Sequence, residues 1–294
     1  MTRAAFRRRV SPGQCLLVLL MLILTLIFLL PIVLTFSTSV STPEGLLEHN
    51  AGLLPSGFTW QAYQTLLADP RLVRYYANTI LYAVTGTGIM LFCTMTLAYT
   101  LIHPTFGGRR FINVLLVITM FFSGGMVPTY LLIKNLGMYN TIWAMVLPGA
   151  VSAWNVIVVK TFFKELPGSL LEAAFIDGAG HFTVLLRIIL PLSRPIVATM
   201  SLFSVVGYWN DYFSAVMYLK NEEMYPIAML LRKMLVLLDG AGVKGMVIRS
   251  GTSAVNSRTA KCAAVIITMI PIMMIYPFLQ KHFAKGLLVG SVKG

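Results

Sequence analysis

Charged side chains are scarce in this sequence. Asp, Glu, Lys and Arg make up only 11% of the 294 residues, whereas hydrophobic residues make up 57%. In a soluble domain, roughly a quarter of the residues are charged. The composition therefore excludes an ordinary soluble domain and predicts an all-α integral membrane protein.

Motifs typical of enzymes and metal sites are also missing. The three cysteines, Cys15, Cys93 and Cys262, lie in or beside apolar runs and are expected to be small buried hydrophobic side chains. There is no C-x-x-C pair, no HExxH motif, no nucleophile elbow and no phosphate-binding G-x-x-x-x-G-K-[ST] loop. We therefore predict no catalytic residue, no metal site and no cofactor held by this chain.

Acidic residues are few, and basic residues outnumber them. Ten acidic residues stand against 23 basic ones, which gives a formal net charge of +13. In a soluble protein this excess would suggest nucleic-acid binding. Here the basic residues flank apolar runs, and no arginine-rich face is interleaved with aromatic residues. Membrane topology explains the charge better, so we expect no nucleic-acid partner.

Six apolar runs are long enough to cross a bilayer core, which takes about 20 residues of helix. The first run is too long for a signal peptide and is followed by no cleavage site, so it is expected to be retained. The predicted spans are residues 14–36, 78–102, 111–133, 141–163, 195–217 and 259–279.

An even number of spans places both termini on the same side, which we predict to be the cytoplasm. The inner segments are then a basic arm (1–13), a tight turn (103–110), a loop (164–194) and a tail (280–294). The outer segments are 37–74, with a short helix near 60–68, a short loop (134–140), and 218–258, with an amphipathic stretch at 226–238. With Lys160 at the inner end of the fourth span included, thirteen of the 23 basic residues but only three of the ten acidic residues fall inside, in line with the positive-inside rule.

The inner loop 164–194 contains the most specific local pattern in the chain. Ser169 and Glu172 have the spacing of a capping box, which predicts a helix over residues 170–177. Gly178 should end that helix, because glycine tolerates the left-handed conformation found at helix ends. A second helix over residues 181–190 should follow, and Pro191 should end or kink it.

The same loop reads E-A-A-x3-G-x9-I-x-L-P from Glu172 to Pro191. This pattern resembles the EAA loop of ABC importer permeases, with every defining position at its expected spacing. The resemblance implies a coupling helix that docks on a separate ATPase subunit; the alternative is a solvated loop helix with no partner. The residues implied in coupling are Glu172, Ala173, Ala174, Asp177, Gly178, Gly180, Ile188, Leu190 and Pro191.

Other segments resemble the carbohydrate branch of these permeases. Residues 58–63 (FTWQAY) are similar to its external entry segment, and residues 122–130 (FSGGMVPTY) to the aldouronate and complex-oligosaccharide type. The chain ends in a sequence similar to the tail of the maltose-type subunit, which reaches into the ATPase dimer. The implied ATPase-contacting residues are Gly290, Ser291, Val292, Lys293 and Gly294.

The resemblance implies the type I ABC importer permease fold, with residues 75–279 as the core permease domain, in a bacterial cell membrane. The single EAA loop implies a second, different permease subunit. Two ATPase copies, which bind ATP and Mg²⁺, and an extracytoplasmic solute-binding protein would complete the importer. The implied function is ATP-driven uptake of carbohydrates, oligosaccharides in particular, and a non-sugar solute is the alternative.

Polar residues within the spans could line a translocation path, since such groups tend to face the bundle interior. For Asn155 we favour hydrogen bonding between helices. For residues 208–211 the path, helix contacts and an interfacial aromatic belt stay open. The path candidates are Tyr82, Asn155, Ser204, Tyr208, Trp209, Asn210 and Asp211.

Two functions from other classes fit the sequence less well. An ion-coupled secondary transporter would need buried ionisable residues, and the predicted spans contain almost none. A membrane scaffold would have no use for an EAA loop. The external loop 218–258 could meet the binding protein or lie on the bilayer surface.

Overall fold

The structure, a computed structural model, describes residues 12–48, 52–240, 248–250, 253–255 and 257–290. Most of the predicted basic arm, residues 241–247 of the external loop, and Ser291, Val292, Lys293 and Gly294 lie outside these ranges. The described part is overwhelmingly helical, which confirms the predicted all-α class. It also contains one short antiparallel hairpin, formed by Ile248–Ser250 (β1) and Ser253–Val255 (β2).

Two long helices dominate the first half of the chain, and short helices connect them to the next segments. This half contains α1 (Pro12–Ser39), α2 (Pro43–Glu48), α3 (Gln61–Leu67), α4 (Pro70–Ile102), α5 (Arg109–Phe121), α6 (Met126–Asn135) and α7 (Ile142–Val146).

The second half contains the predicted inner loop and external loop. Its helices are α8 (Ala153–Lys164), α9 (Gly168–Ile176), α10 (His181–Val184), α11 (Leu190–Leu192), α12 (Arg194–Asn210), α13 (Phe213–Tyr218), α14 (Ile227–Gly240) and α15 (Ser257–Gly290). A π-helical turn, Leu185–Ile189, joins α10 to α11, and a 3₁₀ turn, Glu222–Met224, precedes α14.

One compact unit combines Met1–Asp69 with Met234–Ile267. Its helix α1 is exposed along its apolar length, as expected of a helix whose side chains contact lipid. The α3 helix forms where the sequence predicts it. The Ser39 and Tyr63 hydroxyls share a hydrogen bond of 2.7 Å, which ties the end of α1 to α3.

The other unit combines Pro70–Lys233 with Thr268–Gly294 and contains the main core. Helix α4 packs against α8 and α12. Met90, Val156, Phe163 and Met200 are buried where these helices meet. Burial of such side chains stabilises each by roughly 1.5–3 kcal/mol in a soluble protein, whereas in lipid the packing itself holds the helices together.

Two predicted spans are broken helices in the structure. Residues 111–133 were expected as one helix, but α5 and α6 are bent by 119° at a short break. The break falls on the Ser-Gly-Gly run at 123–125, residues with low helix propensity. Within residues 141–163, α7 and α8 are separated by residues 147–152, which include Pro148 and Gly149.

Helix boundaries differ from expectation at two further places. Helix α4 begins at Pro70, well before Asn78, because proline suits the first turn of a helix instead of interrupting it. Residues 195–217 divide into α12 and α13, since the Asp211 carboxylate accepts a hydrogen bond of 2.9 Å from the Ser214 amide and starts a new helix there.

Two of the described helices, Gly13–Ser39 and Pro70–Ile102, are long and apolar enough to cross a membrane. The number rises to four if each of two bent pairs is one span. At the C-terminus, α15 continues through Gly290. The first part of the predicted tail, as far as Gly290, is therefore helical.

Candidate functional site

The inner loop 164–194, which we call the coupling loop, turns at Gly178. Gly178 has φ = +78°, and it donates a hydrogen bond of 3.0 Å to the Phe175 carbonyl. The Ala179 amide donates one of 2.9 Å to the Ala174 carbonyl. These two bonds form a Schellman motif, the predicted glycine end of α9. The prediction for Gly178 is therefore confirmed.

The predicted capping box is wrong. Helix α9 begins at Gly168 after Pro167, and no side chain caps its N-terminus. Ser169 therefore lies inside the first turn, where its hydroxyl is not in the N-cap position. Proline supplies a fixed backbone angle before the helix instead of a hydrogen-bond acceptor. Glu172 is consequently exposed with no capping role, and its carboxylate is free to meet another molecule.

The second helix of the loop forms as predicted, with one irregularity. Helical structure runs from His181 to Leu192 and includes the π-helical turn. The chain then bends by 83° into α12, just after Pro191. Ser193 at this bend is fully buried. The coupling loop is thus joined to the membrane helices through a defined corner.

One side of the coupling loop packs into the core. Ala174 is only 8% exposed, and Val184, Leu185 and Ile189 are buried in the same cluster as Phe163. Ile188 and Leu190 pack against this cluster. The motif positions at 174, 188 and 190 therefore hold the loop to the ends of α4 and α8.

The other side of the loop presents apolar side chains to the outside. Ile176 is 86% exposed and Phe182 is 63% exposed. Glu172, Ala173 and Asp177 are also exposed. A large exposed apolar side chain beside carboxylates is typical of a protein contact, because such patches mark interaction sites. This side can bind a partner protein.

A cluster of histidine and aromatic side chains joins the coupling loop to α4, and sequence reasoning missed it. The His103 and His181 ring centroids are 4.9 Å apart, and His181 and Phe175 are 5.0 Å apart. The Tyr99 hydroxyl lies 3.2 Å from His181 Nδ1. The residues form two local pairs, Tyr99 with His103 and Phe175 with His181, that are far apart in sequence and follow no motif, so only the fold reveals the cluster.

Burial and the nearby His181 lower the pKa of His103 below its ordinary value of 6.5. Its Nε2 atom is buried without a hydrogen-bond partner. Among the described residues, the aromatic and imidazole rings that contact His103 are those of Tyr99, Phe175 and His181. None of these neighbours carries a carboxylate that would stabilise a protonated His103. The packing is therefore most stable above about pH 6.5 and weakens as the pH falls, because protonation buries a charge.

We expect acid to loosen the coupling loop through His103. Hydrogen exchange of residues 168–192, corrected for the intrinsic rate, should be several-fold faster at pH 5.5 than at pH 7.5. In His103→Gln this pH dependence should shrink, since glutamine does not titrate. An unchanged pH dependence in His103→Gln would assign the effect to another group.

Most path candidates hold the protein together in the structure. The Tyr82 hydroxyl donates a hydrogen bond of 2.7 Å to the Met224 carbonyl, and the Trp209 indole donates one of 3.0 Å to the Thr268 carbonyl. The Tyr208 hydroxyl donates one of 3.0 Å to the Val146 carbonyl. Asp211 starts α13. These contacts favour the helix-contact interpretation of residues 208–211 over an aromatic belt.

The remaining path candidates are Asn155, Ser204 and Asn210. The Asn155 side-chain amide lies 3.6 Å from the Met90 sulfur, and the Thr87 and Ser204 hydroxyls are 2.9 Å apart. Asn210 is exposed and bonds only to the Val206 carbonyl of its own helix. Asn210 therefore has the most freedom to bind another molecule.

Tyr208 lies against Gly86, where no side chain fits. A Cβ atom at Gly86 would overlap the Tyr208 ring. We expect Gly86→Ala to displace this ring, break its bond to Val146 and destabilise the protein by about 1–3 kcal/mol. Gly88→Ala is the matched control, because nothing lies within 4 Å of its added Cβ.

The measurement is the thermal midpoint of the detergent-solubilised protein. Gly86→Ala should lower it, Gly88→Ala should leave it near the wild-type value, and Gly86→Ala combined with Tyr208→Leu should recover part of the loss. Equal midpoints for both alanine variants would contradict the contact.

The external loop is attached to α4 by hydrogen bonds at its start. The Asn78 side-chain amide donates to the Glu223 and Tyr225 carbonyls at 2.7 and 3.1 Å. The Ile227 amide donates to the Thr79 hydroxyl at 2.7 Å. These bonds hold the start of the loop in place, and they give Asn78 the structural role favoured for polar residues between helices.

The chain matches known proteins over nearly its whole length. Residues 4–289 match the family described as the inner membrane component of binding-protein-dependent transport systems. The chain belongs to this family. The match makes this protein a permease subunit of a transport system in the bacterial inner membrane and not an enzyme, and it decides against a secondary transporter or a scaffold.

Named relatives of this permease include two from Bacillus subtilis (strain 168). Protein LplC is 40% identical over 268 residues, which cover 91% of this chain and 90% of LplC. The polygalacturonan/rhamnogalacturonan transport system permease protein YtcP is 38% identical over 275 residues, which cover 93% of this chain and 96% of YtcP.

A solved structure supports the same fold for this permease. A chain of a bacterial ABC transporter involved in the import of the acidic polysaccharide alginate superimposes with a TM-score of 0.83 at 29% identity. The match covers 93% of this permease and 98% of that chain. The type I importer permease fold implied by the EAA loop is therefore confirmed.

Proposed function

We propose that this permease takes up oligosaccharides as one membrane subunit of an ATP-driven importer. The observation that carries the proposal is the coupling loop, whose inner side is packed into the core while Ile176 and Glu172 face outward. Relatives named for polygalacturonan and arabinooligosaccharide transport support a carbohydrate substrate. A non-sugar solute is the alternative.

The coupling loop would transmit motion in the following way. ATP binding closes two ATPase subunits, and the cleft of one of them holds the outer side of α9. Because Ala174 and Ile189 are anchored in the core, movement of α9 is passed to α4, α8 and α12. These helices then switch between inward-facing and outward-facing arrangements. The residues of this proposed coupling site are those of the EAA motif, from Glu172 to Pro191.

We also propose six membrane spans with both termini in the cytoplasm. The spans are α1, α4, the α5–α6 pair, the α7–α8 pair, α12 with α13, and the first part of α15. The last residues of the chain, 290–294, would reach the ATPase interface. Among the path candidates, Asn210 is the best placed to bind a sugar hydroxyl, because its side chain is exposed.

The importer is expected to contain one different permease, two ATPase copies and an extracytoplasmic binding protein. The single EAA loop supplies only one docking site, so a second permease must supply the other. A solved alginate transporter in complex with a pentasaccharide-bound periplasmic protein gives the precedent for such a binding protein. Native mass spectrometry of the complex purified through this chain should show these partners.

The same purified complex tests the substrate. With the binding protein added outside the vesicles, radiolabelled oligosaccharide should accumulate inside only when ATP is present inside with the ATPase. An active homodimer of this chain would refute the heterodimer. Uptake of amino acids or phosphate in place of any oligosaccharide would refute the carbohydrate assignment.

A further inference from the structure

A positively charged cleft lies at the start of α5 and has no part in the coupling loop. It has a volume of about 500 Å³. We call it the basic cleft. Its lining residues are Pro104, Phe106, Gly107, Arg109, Arg110, Asn113 and Val114. Arg109 is half-buried and Arg110 is exposed, so two arginine residues line the cleft.

A hydrogen-bond network draws a third cation towards this cleft. Lys160 of α8 donates from its Nζ to Asn113 Oδ1. The Asn113 side-chain amide donates at 2.6 Å to the Arg109 carbonyl. Arg109 and Lys164 lie close enough to Lys160 to repel its charge. Asn113 therefore holds Lys160 near Arg109 although the two cations repel each other.

No carboxylate offsets this positive charge in the described part of the chain. The first turn of α5 contains no acidic residue, and the salt bridges of Glu222 and Glu223 are made with Lys233 and Arg74, away from this cleft. A cleft lined by charges of one sign attracts ions of the opposite sign. The ligand that suits this cleft is therefore an anion.

The surroundings of the basic cleft indicate an anion with apolar chains. Val114, which lines the cleft, is 52% exposed, and Phe111 on the same helix is 72% exposed. Phe111 directly follows Arg110, Val114 lies about one helical turn further along, and both lead away from the charge into the predicted span. A soluble anion would gain nothing from these side chains, whereas the acyl chains of a phospholipid would cover them.

We propose that the basic cleft binds the headgroup phosphate of an anionic phospholipid of the cytoplasmic leaflet. The proposal rests on the topology proposed above, which places the start of α5 on the cytoplasmic side. Arg109 and Arg110 contact the phosphate, Lys160 adds charge from behind, and Phe111 and Val114 contact the acyl chains. Asn113 is a positioning residue that keeps Lys160 beside the site.

The positive-inside rule alone explains an excess of cations here, but not their arrangement. That rule requires only basic residues near the end of a span. It requires neither a cleft nor an asparagine that fixes a partly buried lysine beside an arginine. The two explanations predict different numbers of tightly bound lipids, so a binding measurement separates them.

The test is lipid binding to the purified permease complex, measured by native mass spectrometry with phosphatidylglycerol added stepwise. The variants are Arg109→Gln with Arg110→Gln, and, as a control, Lys134→Gln with Lys220→Gln, which removes two charges from predicted external loops. A basic residue near an anionic lipid surface contributes about 1 kcal/mol, or roughly a fivefold change in affinity. The first pair should weaken the tightest site roughly 30-fold, and the control pair should leave it unchanged.

One further variant and a set of competing ligands identify what the cleft binds. Asn113→Leu keeps all charges and should weaken the site by roughly fivefold, because only Lys160 is released. Phosphatidylcholine and inorganic phosphate should compete poorly with phosphatidylglycerol. Equal weakening by both charge pairs would overturn the site in favour of general electrostatic attraction. Displacement of the lipid by trigalacturonate would show instead that the cleft binds an acidic sugar.

Protein folding and transport are measured separately from lipid binding at the basic cleft. Thermal midpoints of all variants in detergent show whether a lost lipid reflects unfolding. Binding is read without ATP or sugar, so a permease that proved to carry another solute would still give a clear answer. An Arg109/Arg110 variant that is folded and binds phosphatidylglycerol as tightly as wild type would refute the proposal.

Discussion

Gly178→Val is expected to abolish coupled transport while leaving the protein in the membrane. Gly178 has φ = +78°, and a residue with a Cβ adopts this conformation at a cost of roughly 1–2 kcal/mol, more when it is β-branched. The corner between α9 and α10 would therefore open or shift. Glu172 and Ile176 would no longer lie where the ATPase cleft requires them.

We expect ATP-dependent uptake in vesicles to fall at least tenfold in Gly178→Val, which corresponds to about 1.4 kcal/mol or more. Membrane insertion should be normal, because the corner is exposed and no neighbour lies within 4 Å of an added Cβ. The defect is thus one of backbone conformation and not of steric overlap.

Gly178→Asn is the control for this interpretation. Asparagine is larger than alanine but adopts positive φ several-fold more often than most residues. It should therefore retain more transport than Gly178→Ala. The reverse order, with alanine active and asparagine inactive, would show that space against the ATPase matters and that backbone conformation does not.

Glu172→Gln is the second variant with a large expected effect. If Glu172 belonged to a capping box, glutamine could replace it, and loss of the Glu172 charge would leave transport unchanged. In the structure Glu172 caps nothing and is exposed. We therefore expect Glu172→Gln to impair transport nearly as much as Glu172→Ala, because the carboxylate itself would meet a cationic group of the ATPase.

The expected size follows from a hydrogen bond to a charged group, which contributes about 1.5–3 kcal/mol. ATPase affinity should fall roughly 10- to 100-fold. Glu165→Gln is the control, since this carboxylate lies in the same loop at the end of α8 but outside the motif. The measurement is ATPase retained on the immobilised permease. If Glu172→Gln retained the ATPase fully while Glu172→Ala lost it, Glu172 would have a structural role and not an electrostatic one.

Local signals in the sequence predicted local features well. The corner at Gly178 and the helix after it depend on residues close in sequence, so a glycine at the right spacing was enough. The Ser169 prediction failed because two helix starts competed. Pro167 and Gly168 begin α9 earlier than a serine cap would, and the pattern S-x-x-E occurs in helices that it does not cap.

Features that depend on distant residues could not be predicted. The cluster of Tyr99, His103, Phe175 and His181 forms only when α4 meets the coupling loop. Likewise, no motif in the sequence indicates the role of Asn140. Its side-chain oxygen accepts hydrogen bonds of 2.9 Å from the Lys220 and Asn221 amides, and its φ is +59°. Hydropathy identifies apolar runs but does not register breaks such as the 119° bend between α5 and α6.

The π-helical turn Leu185–Ile189 lies within the spacing of the motif, between Gly178 and Pro191. Such a turn holds one residue more than an α-helical turn. The nine residues between Gly178 and Ile188 therefore set both the length of the helical segment between α9 and α12 and the rotation of α9 about its axis. Loss of one residue from a regular α-helix would rotate the parts on either side by about 100° relative to each other. Loss of one residue from the π turn would instead convert it to α-helix and leave that rotation nearly unchanged. The backbone between α9 and α12 therefore has one place, Leu185–Ile189, where its length can change by one residue without turning α9 away from its partner.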